Sequence, residues 1–135
     1  MPHLPKRRKS PDPQLIERTR SEMRRILAVL DDAAVSGNLS RLGQAFAGDA
    51  LAELKARFTA YQAAGIQVSP FRESLHLEII EIAGQGQSTT RLRYRDRTSF
   101  LTTEASPSTA NEPVQLRLVL DGQREPWRGT SIAEE

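Results

Sequence analysis

Residues 91–97 read RLRYRDR, with an arginine at every second position. Successive side chains of a β-strand point to opposite faces, so Arg91, Arg93, Arg95 and Arg97 share one side while Leu92, Tyr94 and Asp96 take the other. The stretch therefore predicts a strand with one charged face and one mainly apolar face. The residues before it have the same period: Leu75, Leu77 and Ile79 alternate with Ser74, His76 and Glu78. The pair Ile79-Ile80 then shifts the phase, which predicts a bulge before Ile82. A GQGQ turn leads into a long strand from Thr89 to Thr103. The segment EASPSTANEP is too polar and proline-bounded for a strand and reads as a loop. VQLRLVLDG follows, with Val114, Leu116, Leu118 and Leu120 on one face. An Asp121-Gly122 turn opens a final short strand within Gln123 to Ala133, containing Trp127 and Ile132.

Upstream the period changes to that of helices. Ile16, Met23, Ile26, Leu30 and Ala33 recur in three- and four-residue steps, widened by Leu27 and Ala34, and Pro13 sits where a first helix begins. That helix is expected to end near Ser36-Gly37. Asn38 caps a predicted second helix, LSRLGQAF, with Leu39, Leu42 and Phe46 along one side. A third, ALAELKARFTAYQAAG, follows Gly48-Asp49 and stops at Gly65, with Leu51, Leu54, Phe58 and Tyr61 or Ala64 facing inward. Three amino-terminal helices packed in a strongly curved antiparallel sheet, an α+β cone, is the expected fold class.

The chain of 135 residues suits one domain with its own core. It contains no cysteine, which removes disulfides and thiolate chemistry and suits a reducing cytoplasm. No apolar run reaches the roughly 20 residues needed to span a bilayer, and no secretory signal pattern opens the chain, so it reads as soluble. Net charge is +2, yet residues 1–25 carry eight lysines and arginines against three acids, a local +5 that leaves −3 elsewhere. Four prolines flank Lys6, Arg7, Arg8 and Lys9, so residues 1–13 are expected to form a flexible basic tail ahead of a single domain over 14–135. Such a tail attracts polyanions, whether nucleic acid or an anionic membrane surface.

The segments DDAAVSGNLSRLGQAFAGDALAELKARFTAYQAAG and VQLRLVLDGQREPWRGTSI resemble, in the order of their elements, the nuclear transport factor 2-like (SnoaL-like) cone superfamily. The step Asn38 to Leu42 and the strand Leu75 to Ile82 are similar to those of non-catalytic cones in chloroplast-division scaffolds and other membrane-associated assemblies. The resemblance implies a cone that acts either as a pocket enzyme or as a scaffold. Enzymes of the group place an acid or base and a tyrosine hydroxyl on the concave sheet face. Here that reading would use Asp96, Tyr94 and Tyr61 for an isomerase, dehydratase or hydrolase-like reaction.

The residues themselves support catalysis thinly. Asp96 lies between Arg95 and Arg97, His76 falls on the charged side, and His3 lies in the tail, so no metal-ligand spacing and no nucleophile-base pair appears. No glycine loop leads into a helix to cradle a phosphate. No metal or cofactor is expected. The outer face gathers Arg91, Arg93, Arg95 and Arg97 with Arg117 and Gln115 from the later strand, facing His76, Glu78 and Glu81. Five guanidinium groups exceed those two glutamates, which predicts a docking face for an acidic partner protein or a second copy. Nucleic acid is the competing partner, although Tyr94 and Phe100 would lie away from the arginines and offer no stacking there. A non-catalytic interaction or scaffold module, cytoplasmic and dimeric or partner-bound, is the expected function.

Overall fold

The structure is a computed structural model that describes residues 12–82, 86–103 and 106–135. The sequence Lys6 to Lys9, the rest of residues 1–11 and the first half of the GQGQ turn lie outside the described residues. Helix α1 spans Pro13–Ser36. The Asp12 carboxylate accepts from the Gln14 amide at 2.9 Å, and Pro13 begins the first turn, where no donor is needed. Gly37 closes the helix at φ 74°, its amide donating to the Ala33 carbonyl at 3.0 Å. Pro13 is thus the first residue of α1.

The expected second helix is not an α-helix. Leu39–Gln44 forms one 3-10 helix, entered where Asn38 Oδ1 accepts from the Ser40 amide at 3.1 Å. The amides of Ala45 and Phe46 both donate to the Leu42 carbonyl, which tightens the exit. Ala47 then extends to pair with Gly129, the Ala47 amide donating to the Gly129 carbonyl at 2.9 Å. Six residues ending in that commitment are too few to establish an α-helical ladder. Helix α2, Gly48–Ala63, follows and stops at Gly65, φ 68°. The expectation of three amino-terminal helices is therefore corrected to two α-helices among the described residues, joined by a 3-10 turn.

Among the described residues seven strands follow: β1 Gln67–Ser69, β2 Arg72–Ile82, β3 Gln87–Asp96, β4 Ser99–Leu101, β5 Ser108–Thr109, β6 Glu112–Asp121 and β7 Arg128–Glu134. They divide into two antiparallel sheets, ordered β2-β3-β6-β7 and β1-β4-β5, and do not close into a barrel. The single curved sheet expected from the sequence is corrected here as well. The supposed long strand from Thr89 to Thr103 breaks at Asp96, whose Oδ1 accepts from the Thr98 amide at 2.9 Å. Such a local side-chain turn competes with the ladder and redirects the chain. Arg97 donates its amide to the Phe71 carbonyl, and Ser99–Leu101 joins the smaller sheet against β1. The polar loop supplies that sheet's third strand, β5, which the sequence reading missed because two residues carry no periodic signal.

The helices cover one face of the four-stranded sheet. Met23, Ile26, Leu42, Phe46, Leu54, Leu92, Leu118 and Leu120 are buried between the two layers. Gly129 permits this approach, since a Cβ there would lie 2.9 Å from Leu118 Cδ1 and 3.1 Å from Phe46 Cδ1. Arg25 locks the layers at one end, donating to the carbonyls of Gln44 at 3.1 Å and Trp127 at 2.5 Å while its Nε meets Glu22 at 2.7 Å.

Candidate functional site

Strand β3 places Arg91, Arg93 and Arg95 on the face turned away from the helices, and Thr90, Leu92, Tyr94 and Asp96 toward them. Pairing with β6 sets Arg91 opposite Arg117, Arg93 opposite Gln115 and Arg95 opposite Pro113. On the other side Glu78 faces Arg91, His76 faces Arg93 and Glu73 faces Arg95. The outer face stays open, with the Arg93 and Arg117 side chains 52% and 51% exposed. Arg97 leaves this stripe: it lies past the end of β3, in a groove with Ser69, Phe71 and Glu73, and its Nη1 is 3.9 Å from the Glu73 carboxylate.

Like charges directly opposite one another on a sheet repel. Between Arg91 and Arg117 the conflict is resolved by Glu135, just beyond β7. Its Oε2 accepts from Arg91 Nε at 2.8 Å and Gln115 Nε2 at 2.6 Å, and its Oε1 accepts from Arg117 Nε at 2.7 Å. Hydrogen bonds from Arg91, then Gln115 and Arg117, hold the Glu135 carboxyl at about 2, down from an ordinary 4.5. Glu135 in turn raises the pKa of Arg91. Glu78 serves Arg91 at 3.5 Å and Arg93 at 3.9 Å, while Arg95 donates to the neutral Asn111 at 3.1 Å. The sequence reading missed Glu135. The signal was the Arg91 and Arg117 pairing itself, which calls for an anion once the register is known.

Asp96, Tyr94 and Tyr61, the candidate catalytic residues, are brought together on the opposite side. All three line a cavity of about 180 Å³ between α1, α2 and the inner sheet face. Its floor is apolar, with Ile26, Leu54, Phe58, Leu92 and Leu118, and its polar residues include Asp31, Arg57 and Arg72. Arg72 Nη1 donates to both Asp31 oxygens at 2.8 Å, and its guanidinium lies 5.6 Å from the Tyr94 ring centroid. Burial raises the Tyr94 hydroxyl above its usual pKa; Arg72 opposes this and Asp96 adds to it. Tyr61 stacks obliquely on Phe100 at 5.8 Å and Phe58 at 6.4 Å. His76 points outward, away from the cavity. Among the described residues no group of three His, Asp or Glu side chains is placed to hold a metal ion.

No family model and no curated protein matches the chain. Among solved structures it is similar to the crystal structure of the intermembrane space region of the chloroplast protein ARC6. The match has a TM-score of 0.71 at 13% identity, covering 93% of this chain and 97% of that one. At that identity the likeness shows a shared fold. No helix of the described residues is long and apolar enough to cross a membrane.

Proposed function

We propose that this chain is a non-catalytic interaction module that docks an acidic protein partner on the outer face of β2, β3 and β6. The observation that carries this reading is the convergence of Arg91, Arg93, Arg95 and Arg117 on one open face, with Glu78 and Glu135 each shared between two of them. Exposed ion pairs contribute only about 0–1 kcal/mol each, so fold stability is a weak reason for such a density of guanidinium groups. Charge complementarity toward a partner supplies both encounter rate and register. The resemblance to scaffold-type members of the nuclear transport factor 2-like group supports the same choice, and the cysteine-free composition supports a cytoplasmic setting.

The test is the triple variant Arg93→Ser, Arg95→Ser, Arg117→Ser. It is expected to keep the wild-type circular dichroism spectrum and to lose capture of an acidic partner that wild type binds at low salt and releases at high salt. A dimer seen by sedimentation in wild type and lost in the variant would make the occupant a second copy. A variant equal to wild type in every binding measurement overturns the reading. Nucleic acid is disfavoured on this face, because Tyr94 and Phe100 both line the cavity on the other side, away from the arginines.

A second reading, a small-pocket enzyme, is favoured by the gathering of Asp96, Tyr94 and Tyr61 around one cavity. Two contacts weigh against it: Asp96 is held by the Thr98 amide, and Arg72 is held by Asp31. Both polar groups already have structural work in the free protein.

A further inference from the structure

The donors around Glu135 belong to the most regular part of the sheet, and Glu135 itself does not. Arg91 on β3 and Gln115 and Arg117 on β6 sit in a ladder whose ten paired positions run without a register shift. Glu135 follows the edge strand β7 and is tied back by one backbone bond, its amide donating to the Gln115 carbonyl at 2.9 Å. Three donors from two adjacent strands thus converge on one carboxylate, and the carboxylate comes from the periphery.

We propose that Arg91, Gln115 and Arg117 form a receptor for a carboxylate of the docking partner, and that Glu135 is an internal occupant masking it until the partner's acid takes its place. The inference rests on the docking reading above and adds the partner's chemistry and a means of regulation. A tethered carboxylate acts at an effective concentration on the order of millimolar, so a single free carboxylate competes poorly with Glu135. A partner carrying several acids gains more. Arg93 and Arg95 lie two and four residues along the same strand face, and their present partners are a carboxylate at 3.9 Å and a neutral amide. An extended segment with acids at alternate positions repeats about every 6.6–6.8 Å, the spacing of the arginines on β3. The partner therefore presents an acidic, strand-like segment with carboxylates at i, i+2 and i+4. Charge-assisted bonds to the arginines fix its register.

The probe is a short fluorescein-labelled peptide alternating Glu and Ser, followed by anisotropy at low salt with the full chain. Wild type is expected to bind weakly and Glu135→Gln about tenfold more tightly, a difference of about 1.4 kcal/mol. Adding Arg91→Gln to Glu135→Gln should remove the gain. Saturating peptide should also shift the Arg91 and Arg117 Nε–H resonances of wild type. If wild type and Glu135→Gln bind equally while the Arg93, Arg95, Arg117 triple variant loses binding, the masking role fails and the docking face stands. If the peptide binds no form of the protein, or binds every arginine variant alike, both fail. Equal binding of a peptide with its glutamates contiguous overturns the alternate-position assignment.

Discussion

Asp96 is the residue on which the functional readings divide, and its environment says what each substitution does. The carboxylate accepts from the Thr98 amide and turns the chain from the larger sheet into the smaller one. Asn keeps an oxygen in that place, so Asp96→Asn should change stability by less than about 0.5 kcal/mol, whereas Asp96→Ala frees the amide and should cost about 1 kcal/mol. Urea unfolding of both variants checks this; equal losses would remove the turn as the reason for an acid here. Glu135 makes a second residue-level prediction. Its carboxyl is held at about 2 against an ordinary 4.5, and a depressed carboxyl stabilises the fold above its unfolded value. The contribution of the clamp is present above about pH 4.5 and is lost as pH falls toward 2. A carbon-13 titration of the Glu135 carboxyl should show its midpoint near 2, and a midpoint near 4 would mean that the arginines do not hold it.

Among the elements, β2 shows best what alternation reveals and what it hides. The bulge at Ile79-Ile80 was legible, because two adjacent isoleucines cannot both face the core; Ile80 is the one left exposed. A second bulge lies between Glu73 and His76, where one extra residue on β2 opposes β3. Ser74 adopts φ 57° there. Leu75 and Leu77 look like one apolar face in the sequence, so nothing marks this bulge, and unbroken alternation would turn Arg72 outward with His76. The bulge instead pairs Arg72 with Asp96 and brings its side chain into the cavity beside Asp31 and Tyr94. Most of the polar end of the candidate pocket thus depended on a backbone irregularity without a sequence signature. Ser74→Gly should hold or raise the melting temperature, and Ser74→Val should cost about 1–2 kcal/mol, because a β-branched residue strongly disfavours the left-handed region. If Ser74→Val melts with wild type, the bulge does not constrain that backbone.

At the scale of the whole molecule, two layers had to be joined, and the sequence carried one half of that information. The inward residues Leu92, Leu118 and Leu120 and the helix residues Met23 and Ile26 declared themselves by period, and they form the core, with Leu116 half-buried against it. The division into two sheets did not, since it turns on the Asp96 side chain and on short strands whose pairing is long-range. The same holds for the ties between layers. Arg72 and Asp31 are 41 residues apart in sequence, yet they link β2 to α1 along the wall of the cavity. Their side chains are 14% and 36% exposed, between the surface and the interior, so the pair should be worth more than a solvated one and less than a fully buried one. A double-mutant cycle with Arg72→Met and Asp31→Asn should give a coupling of about 1 kcal/mol by urea unfolding. Arg72→Met should be the more damaging single change, because it also removes the guanidinium from the Tyr94 ring. Coupling below about 0.3 kcal/mol would show the two changes to be independent, and the helix layer would then be held to β2 by apolar packing alone.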